Sequence, residues 1–339
     1  MKKIIIVLII GLIIICGLTW FFFFRDQTTP GYNGPTQEVT LKLKWQHQAQ
    51  FAGNYVALEQ GFYKQEGLKV NLIPFNVNDS SAIDDVANGI ADFGIAGADE
   101  ILFARERGLA IKAIAVIYKI NPVAAYSLKE RGIVRPTDFI GKTVGIEKGT
   151  NVEYLYNVMM KKLNIDRNSI KEVGIGYEAK EVLSGSVDVG TGYIINEPNL
   201  VTEKGQAVNI ILVADYGANM YADVLFTTDN LIKTDPDLVG RFLSATLSGW
   251  QYAIENKKEA IDAVLKYATS STRIHQEAML DSSIPLITTG TSPLGWMESN
   301  QWKQAVNILL EEELLSESID VSEAFTTQFV SDYYLNLKK

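Results

Sequence analysis

Cysteine occurs once in the 339 residues, at Cys16, so no disulfide can close within the chain and no multi-cysteine metal site can form. Histidine is almost as scarce. His47 and His275 stand far apart, and the sequence shows no Ser-His-Asp arrangement and no metal-ligand spacing around either. The glycine spacing of a dinucleotide or P-loop fingerprint is missing as well. Positive charge is in short supply: 31 Lys and Arg against 40 Asp and Glu leave a net charge of −9. That excess argues against a nucleic-acid or anionic-lipid surface, both of which need clustered cations. These shortages point away from an enzyme. No catalytic residue, cofactor or metal is expected.

What the chain does have is an ordinary globular composition, 47% apolar and 21% charged. Its length exceeds a comfortable single core, so about two domains are expected. Residues 1–24 open with Met1, Lys2 and Lys3 and continue as a nearly unbroken apolar run, about long enough to span a bilayer. Three readings stay open: an uncleaved anchor with the lysines cytoplasmic, a lipoprotein signal ending at Cys16, or a cleaved signal peptide. All three place the folded part outside the cytoplasm, attached to or released from the outer face of the membrane. Residues 25–38, with Pro30, Gly31, Gly34 and Pro35 among polar residues, have the composition of a linker.

The stretch 41–74 organises the rest. Leu41, Leu43 and Trp45 alternate with lysines at period two, Phe51, Tyr55, Leu58 and Phe62 recur at helical spacing, and after Gly67 the alternation resumes in Leu68, Val70 and Leu72. Strand, helix and strand in such close succession predict a βαβ unit with parallel strands. The connection 46–53 then falls at the carboxyl edge of the sheet, where open α/β sheets bind ligands.

A short helix at 81–88 and a strand at 91–95 follow. The order repeats with strands at 142–146, 170–175 and 187–193 and helices at 151–163 and 178–183. The fragments Gly89-Ile90-Ala91-Asp92-Phe93-Gly94 and Gly185-Ser186-Val187-Asp188-Val189-Gly190 share Gly, Asp and Gly in register, so two similar β-α-β-α-β lobes are the simplest architecture. Lobe 1 is expected over 39–126 and 220–339, lobe 2 over 127–219, with crossings at 123–128 and 224–228. The helical patterns at 237–256, 258–268, 273–281, 298–315 and 321–335 are expected to pack back on lobe 1.

Candidate site residues cluster at predicted strand ends. Trp45, Phe51, Tyr118, Tyr177, Tyr193 and Tyr221, with Tyr216, offer apolar faces, most with a polar tip, suited to a flat heteroaromatic ligand. Any single one is more often a core residue, and Trp45 at the mouth of the first strand is the leading candidate. Gln50 and Asn54 lie on the first connection and helix. Asp99 sits in a strand-to-helix turn as cap or ligand contact, and Glu197 before Pro198 is either a first-turn charge or an acceptor for a ring amine. Thr150 and Glu153 have capping-box spacing, and the amides of that helix start either close an ordinary turn or hold an anion.

Trp45 with Gln48-Ala49-Gln50-Phe51-Ala52-Gly53, Gly61-Phe62-Tyr63 and Ala91-Asp92-Phe93-Gly94-Ile95 resembles the thiamine-pyrimidine-precursor branch of ABC-transporter solute-binding proteins. So do Gly132-Ile133, Asp138 with Gly141-Lys142, Gly192-Tyr193 with Asn196-Glu197-Pro198, and Gly249-Trp250. The resemblance covers about residues 39–270. It implies the type II periplasmic-binding-protein fold, an α/β architecture in which two lobes joined by a two-strand hinge close on a small molecule. It also implies a monomer working with an ABC permease. Trp45 takes the stacking position and Glu197 the polar position of pyrimidine binders. The Gln-Ala-Gln-Phe run departs from the Asn and His frequent in those binders, which leaves riboflavin, sulfonate or nitrate binding, or a sensor role, as alternatives. A pyrimidine synthase shares the fold, but the resemblance gives that enzyme a cysteine-rich iron-binding segment that 25–339 lacks.

Overall fold

The computed structural model describes residues 32–76 and 79–337. The expected membrane segment at 1–24 and the start of the linker lie outside them. The folded body begins at Thr36. Among the described residues no helix is long and apolar enough to cross a membrane.

The opening unit forms as its periodicity requires. Strand β1 (Gln37–Lys42) runs parallel to β2 (Leu68–Ile73), paired from Gln37 opposite Leu68 to Lys42 opposite Ile73. Leu68, Val70 and Leu72 face the core while Lys69 and Asn71 face solvent. Between them α1 (Ala52–Glu59) buries Tyr55, Val56 and Ala57. The first strand starts earlier than its apolar alternation, because its ladder begins where Gln37 N–H meets the Gly67 carbonyl at 2.9 Å. Trp45 therefore falls beyond the strand.

The chain continues through α2 (Ala82–Ala87), β3 (Phe93–Ala96), α3 (Ala98–Glu106) and β4 (Ile111–Tyr118). It then enters a second block: β5 (Val123–Leu128), β6 (Thr143–Ile146), α4 (Asn151–Lys162), β7 (Lys171–Gly174), α5 (Lys180–Leu183), β8 (Val189–Tyr193), α6 (Glu197–Glu203) and β9 (Val208–Leu212). Strand β10 (Ala222–Thr228) returns to the first sheet. The two sheets have the orders β2-β1-β3-β10-β4 and β7-β6-β8-β5-β9. In each, three parallel strands are followed by one antiparallel strand that arrives from the opposite lobe, β10 in one and β5 in the other. The architecture is α/β with two open mixed sheets.

The repeated Gly-Asp-Gly fragments have a physical reason. The Asp92 carboxylate accepts from Thr40 N–H at 2.8 Å and the Asp92 N–H donates to the Thr40 carbonyl at 3.0 Å. Asp188 makes the same pair of bonds with Thr143, both at 2.9 Å. One aspartate in each lobe thus clamps a parallel strand of its sheet, β1 in one and β6 in the other.

The segments at 123–128 and 224–228, read from sequence as crossings, lie inside strands of one sheet each. The chain passes between lobes at 119–122 and 213–221. Asn121 and Asn219 tie the two passages: Asn121 N–H donates to the Asn219 side chain at 2.9 Å, and Asn121 Nδ2 to the Met220 carbonyl at 3.2 Å.

After β10 come α7 (Pro236–Glu255), α8 (Lys257–Val264), α9 (Arg273–Ile287), α10 (Ser299–Glu311) and α11 (Gln328–Asn336). They cover the first sheet. Helix α7 crosses α1 at glycine contacts, where a Cβ on Gly249 would meet the Gly53 carbonyl at 2.2 Å and one on Gly53 would meet Trp250 at 2.1 Å. The predicted helix at 321–335 is broken, because Phe325 bridges Ala113 and Thr326 N–H bonds the Ala113 carbonyl at 2.9 Å.

Candidate ligand-binding cleft

A cleft of about 760 Å³ opens where the carboxyl ends of the parallel strands of both sheets face each other. Each strand end contributes a side chain. Lys44 and Trp45 follow β1, Phe75 follows β2, Asp99 and Glu100 follow β3, Glu147 follows β6, Tyr177 follows β7, and Tyr193 with Glu197 ends β8.

The aromatic wall is fixed by backbone register. Past the strands, Leu43 N–H still donates to the Ile73 carbonyl at 2.8 Å and Phe75 N–H to the Trp45 carbonyl at 3.0 Å. This sets Trp45 and Phe75 side by side, with ring centroids 5.8 Å apart and planes 7° from parallel. Tyr177 of the second lobe meets Trp45 edge to face at 5.3 Å.

The floor is charged. Asp223 is buried in β10 with φ 47°, a left-handed conformation that costs on the order of 1–3 kcal/mol for a residue with a side chain. Gln50 Nε2 bonds both its carboxylate oxygens, at 2.9 and 2.8 Å, and Lys44 Nζ lies 3.5 Å from Oδ1. Burial works against the Lys44 charge, but Tyr193, Asp223, Glu100 and Asp99 around it hold the ammonium above its ordinary range. Burial raises Asp223, and Lys44 and Gln50 oppose it.

Acidic side chains also close the two helix starts that face the cleft. Glu100 accepts from Gly97 N–H at 2.7 Å at the head of α3. At the head of α4, Thr150 Oγ1 accepts from Val152 N–H at 3.2 Å while Glu153 reaches past it to Gly149 N–H at 2.8 Å. A carboxylate of the chain thus accepts from an amide at each helix start, the position an anion would take, as in an ordinary capped turn. Asp99 accepts a hydrogen bond from Tyr154 Oη, which joins the lobes across the cleft.

On the opposite edge Glu197 Oε2 accepts from Tyr193 N–H at 2.7 Å, and Oε1 accepts from Asn196 Nδ2. The carboxylate packs over Gly192, where a Cβ would lie 2.4 Å from Oε2.

Of the residues singled out from the sequence, Trp45, Gln50, Asp99, Tyr177, Tyr193 and Glu197 line this cleft. Phe51, Asn54, Tyr118 and Tyr221 do not. Phe51 is core, Asn54 donates to Tyr63 Oη at 3.3 Å beneath it, Tyr118 donates to Ser283 Oγ at 2.8 Å, and Tyr221 accepts from Glu298 N–H at 2.8 Å. Sequence reasoning missed Lys44, Phe75, Glu147 and Tyr154 of the lining, and Asp223 behind it. Lys44 and Phe75 follow predicted strands and carried a positional signal; Asp223, beside the expected crossing, carried none. His47 bonds Tyr55 Oη at 2.9 Å, and His275 sits between Glu203 and Asn196. Neither lines the cleft.

A family model described as NMT1/THI5 like matches residues 48–260, more than half of the chain. The chain belongs to the NMT1/THI5 like family. Within the curated proteins it is 28% identical over 316 residues to a riboflavin-binding protein, RibY, of Chloroflexus aurantiacus, covering 89% of this chain and 88% of that one. It is 22% identical over 298 residues to a formylaminopyrimidine-binding protein of Halalkalibacterium halodurans, covering 86% and 90%. A 4-amino-5-hydroxymethyl-2-methylpyrimidine phosphate synthase of Legionella pneumophila is 25% identical over 306 residues, covering 88% and 95%. Among solved structures, a putative periplasmic sulfonate-binding protein of Methylobacillus flagellatus superposes with a TM-score of 0.70 at 17% identity, covering 89% and 95%. The periplasmic-binding-protein fold that the sequence resemblance implied is thus the fold of this NMT1/THI5 like chain.

Proposed function

We propose that this protein is the extracytoplasmic solute-binding component of an ABC importer and captures a small planar heteroaromatic molecule between its lobes, releasing it unchanged to a membrane permease. The moving bodies in this reading are 36–118 with 222–337, and 123–212, hinged at 119–122 and 213–221. The observation that carries it is the pairing of a stacked wall, Trp45 and Phe75 with Tyr177 across from it, with a rim of carboxylates. Aromatic faces suit a flat ring, and carboxylates suit its N–H groups.

The same rim argues against the sulfonate or nitrate alternative. Lys44 is the cation of the cleft, it is already engaged by Asp223 and Glu100, and both helix starts are filled by Glu100 and Glu153. An anion would have to compete with these carboxylates for Lys44 and for the helix-start amides. Riboflavin and a pyrimidine precursor remain as ligands of the favoured class, each in the name of a relative.

Calorimetry with riboflavin, 4-amino-5-hydroxymethyl-2-methylpyrimidine and an alkanesulfonate tests the class. Binding of one of the first two, recovered unaltered by mass spectrometry, is expected. Binding of the sulfonate alone sinks the reading, and conversion of the ring compound would make the protein an enzyme. Small-angle scattering should show compaction on saturation.

A further inference from the structure

Glu147 follows the last residue of β6 and its backbone is pinned from two sides: its N–H donates to Thr191 Oγ1 at 3.2 Å and its carbonyl accepts from Thr150 Oγ1 at 2.9 Å. The side chain is held in the cleft wall at 5% exposure. Among the described residues, its Oε1 has no hydrogen-bond partner. Glu197, at the end of the neighbouring strand, differs in this respect, because both its oxygens are bonded to groups of the chain.

Among the described residues no cation compensates Glu147. Lys148, next in sequence, turns to Glu153 at 2.7 Å, and Lys44 is committed to Asp223. The ionisable groups that face it are Glu197 from the start of α6, Tyr126 from β5 and Tyr177 from the segment after β7. Two buried carboxyls so placed do not both ionise. Glu197, with its donors, is the one equipped to carry the charge. Burial and the Glu197 charge both push the Glu147 carboxyl upward, so the proton stays there.

We propose that Glu147 determines the specificity of the cleft, presenting a neutral carboxyl whose O–H and C=O pair with a ring edge that carries an N–H donor beside an acceptor. An amino group next to a ring nitrogen has that pattern, and so does a cyclic imide. A neutral carboxyl is complementary to both, whereas a sulfonate or carboxylate ligand offers only acceptors. This inference rests on the heteroaromatic reading and narrows it to one hydrogen-bonding pattern.

The test titrates the full chain with 4-amino-5-hydroxymethyl-2-methylpyrimidine and with riboflavin, each at a series of pH values, in wild type, Glu147→Gln and Glu147→Leu. The amide of Glu147→Gln keeps one donor and one acceptor, so whichever probe binds should do so within about 3-fold of wild type, and Glu147→Leu should lose about 30-fold or more. Wild-type affinity should fall as Glu147 ionises at high pH, and the Glu147→Gln profile should be flat there. Because Glu147→Leu risks misfolding, infrared spectroscopy of the unliganded protein at pH 7 supplies a second readout. The protonated-carboxyl C=O absorption band should be weaker in Glu147→Gln than in wild type. Equal binding by wild type and Glu147→Leu, equal losses in Gln and Leu, or no difference in that band would overturn the inference while leaving the heteroaromatic reading in place. Failure of both probes to bind wild type would overturn that reading, and this inference with it.

Discussion

Trp45 and Tyr177 meet edge to face at 5.3 Å, although one follows β1 of the first sheet and the other the edge strand β7 of the second. Their contact brings together cleft-lining surfaces that belong to different lobes. Under the proposed function, a flat ligand entering between them exchanges this contact for stacking on its own ring, which couples opening to binding at that point.

Trp45→Ala is therefore expected to weaken binding of a heteroaromatic probe by about 1–3 kcal/mol, through lost stacking and buried area. Quenching of tryptophan fluorescence on titration should diminish with it. Unchanged affinity, read by calorimetry, would remove Trp45 from the site.

Gly192→Ala should damage the opposite edge of the cleft. The new methyl group would meet Glu197 Oε2 at 2.4 Å, against a carboxylate already bonded to the backbone of Tyr193. Overpacking of this kind costs about 1–3 kcal/mol. Urea denaturation should show the lower midpoint, and binding should weaken because Glu197 must move.

Asp223→Ala leaves Lys44 without its buried partner and Gln50 without its acceptors, and loss of one member of a buried pair costs about 3–5 kcal/mol. Asp223→Asn retains an acceptor for Gln50 and should fall between wild type and Ala in a thermal melt. Equal melting of the two variants would show that the charge alone matters.

The pH dependence of stability follows from Glu147 and Glu197, both raised by burial above the ordinary 4.5. A carboxyl that holds its proton more tightly folded than unfolded stabilises fully below about 4.5, and that contribution is lost as pH rises through the folded value. Unliganded wild type should accordingly lose stability from pH 4.5 toward and past neutrality relative to Glu147→Gln. A parallel pair of stability curves would contradict the assignment of a proton to Glu147.

Much of this molecule was legible in its chain. Alternation in Leu68, Val70 and Leu72, helical spacing through Tyr55 and Phe62, and the paired Asp92 and Asp188 fragments determined strands, helices and two-lobe repetition, since each depends on neighbours within a few residues. The Trp45 and Glu197 positions were marked by standing at strand ends. Only the tertiary structure decided which strand-end residues converge. Tyr118 and Tyr221 carried the same signal as Tyr193 yet turn into cores, bonded to Ser283 and Glu298 from the C-terminal helical region. Asp223 came to lie behind the cleft wall, against Lys44 and Gln50, because β10 returns across the hinge and inserts between β3 and β4. That placement is set by sheet order over more than 170 residues of separation, and local periodicity holds no record of it, because it reports which face a side chain takes and not which distant strand lies beside it.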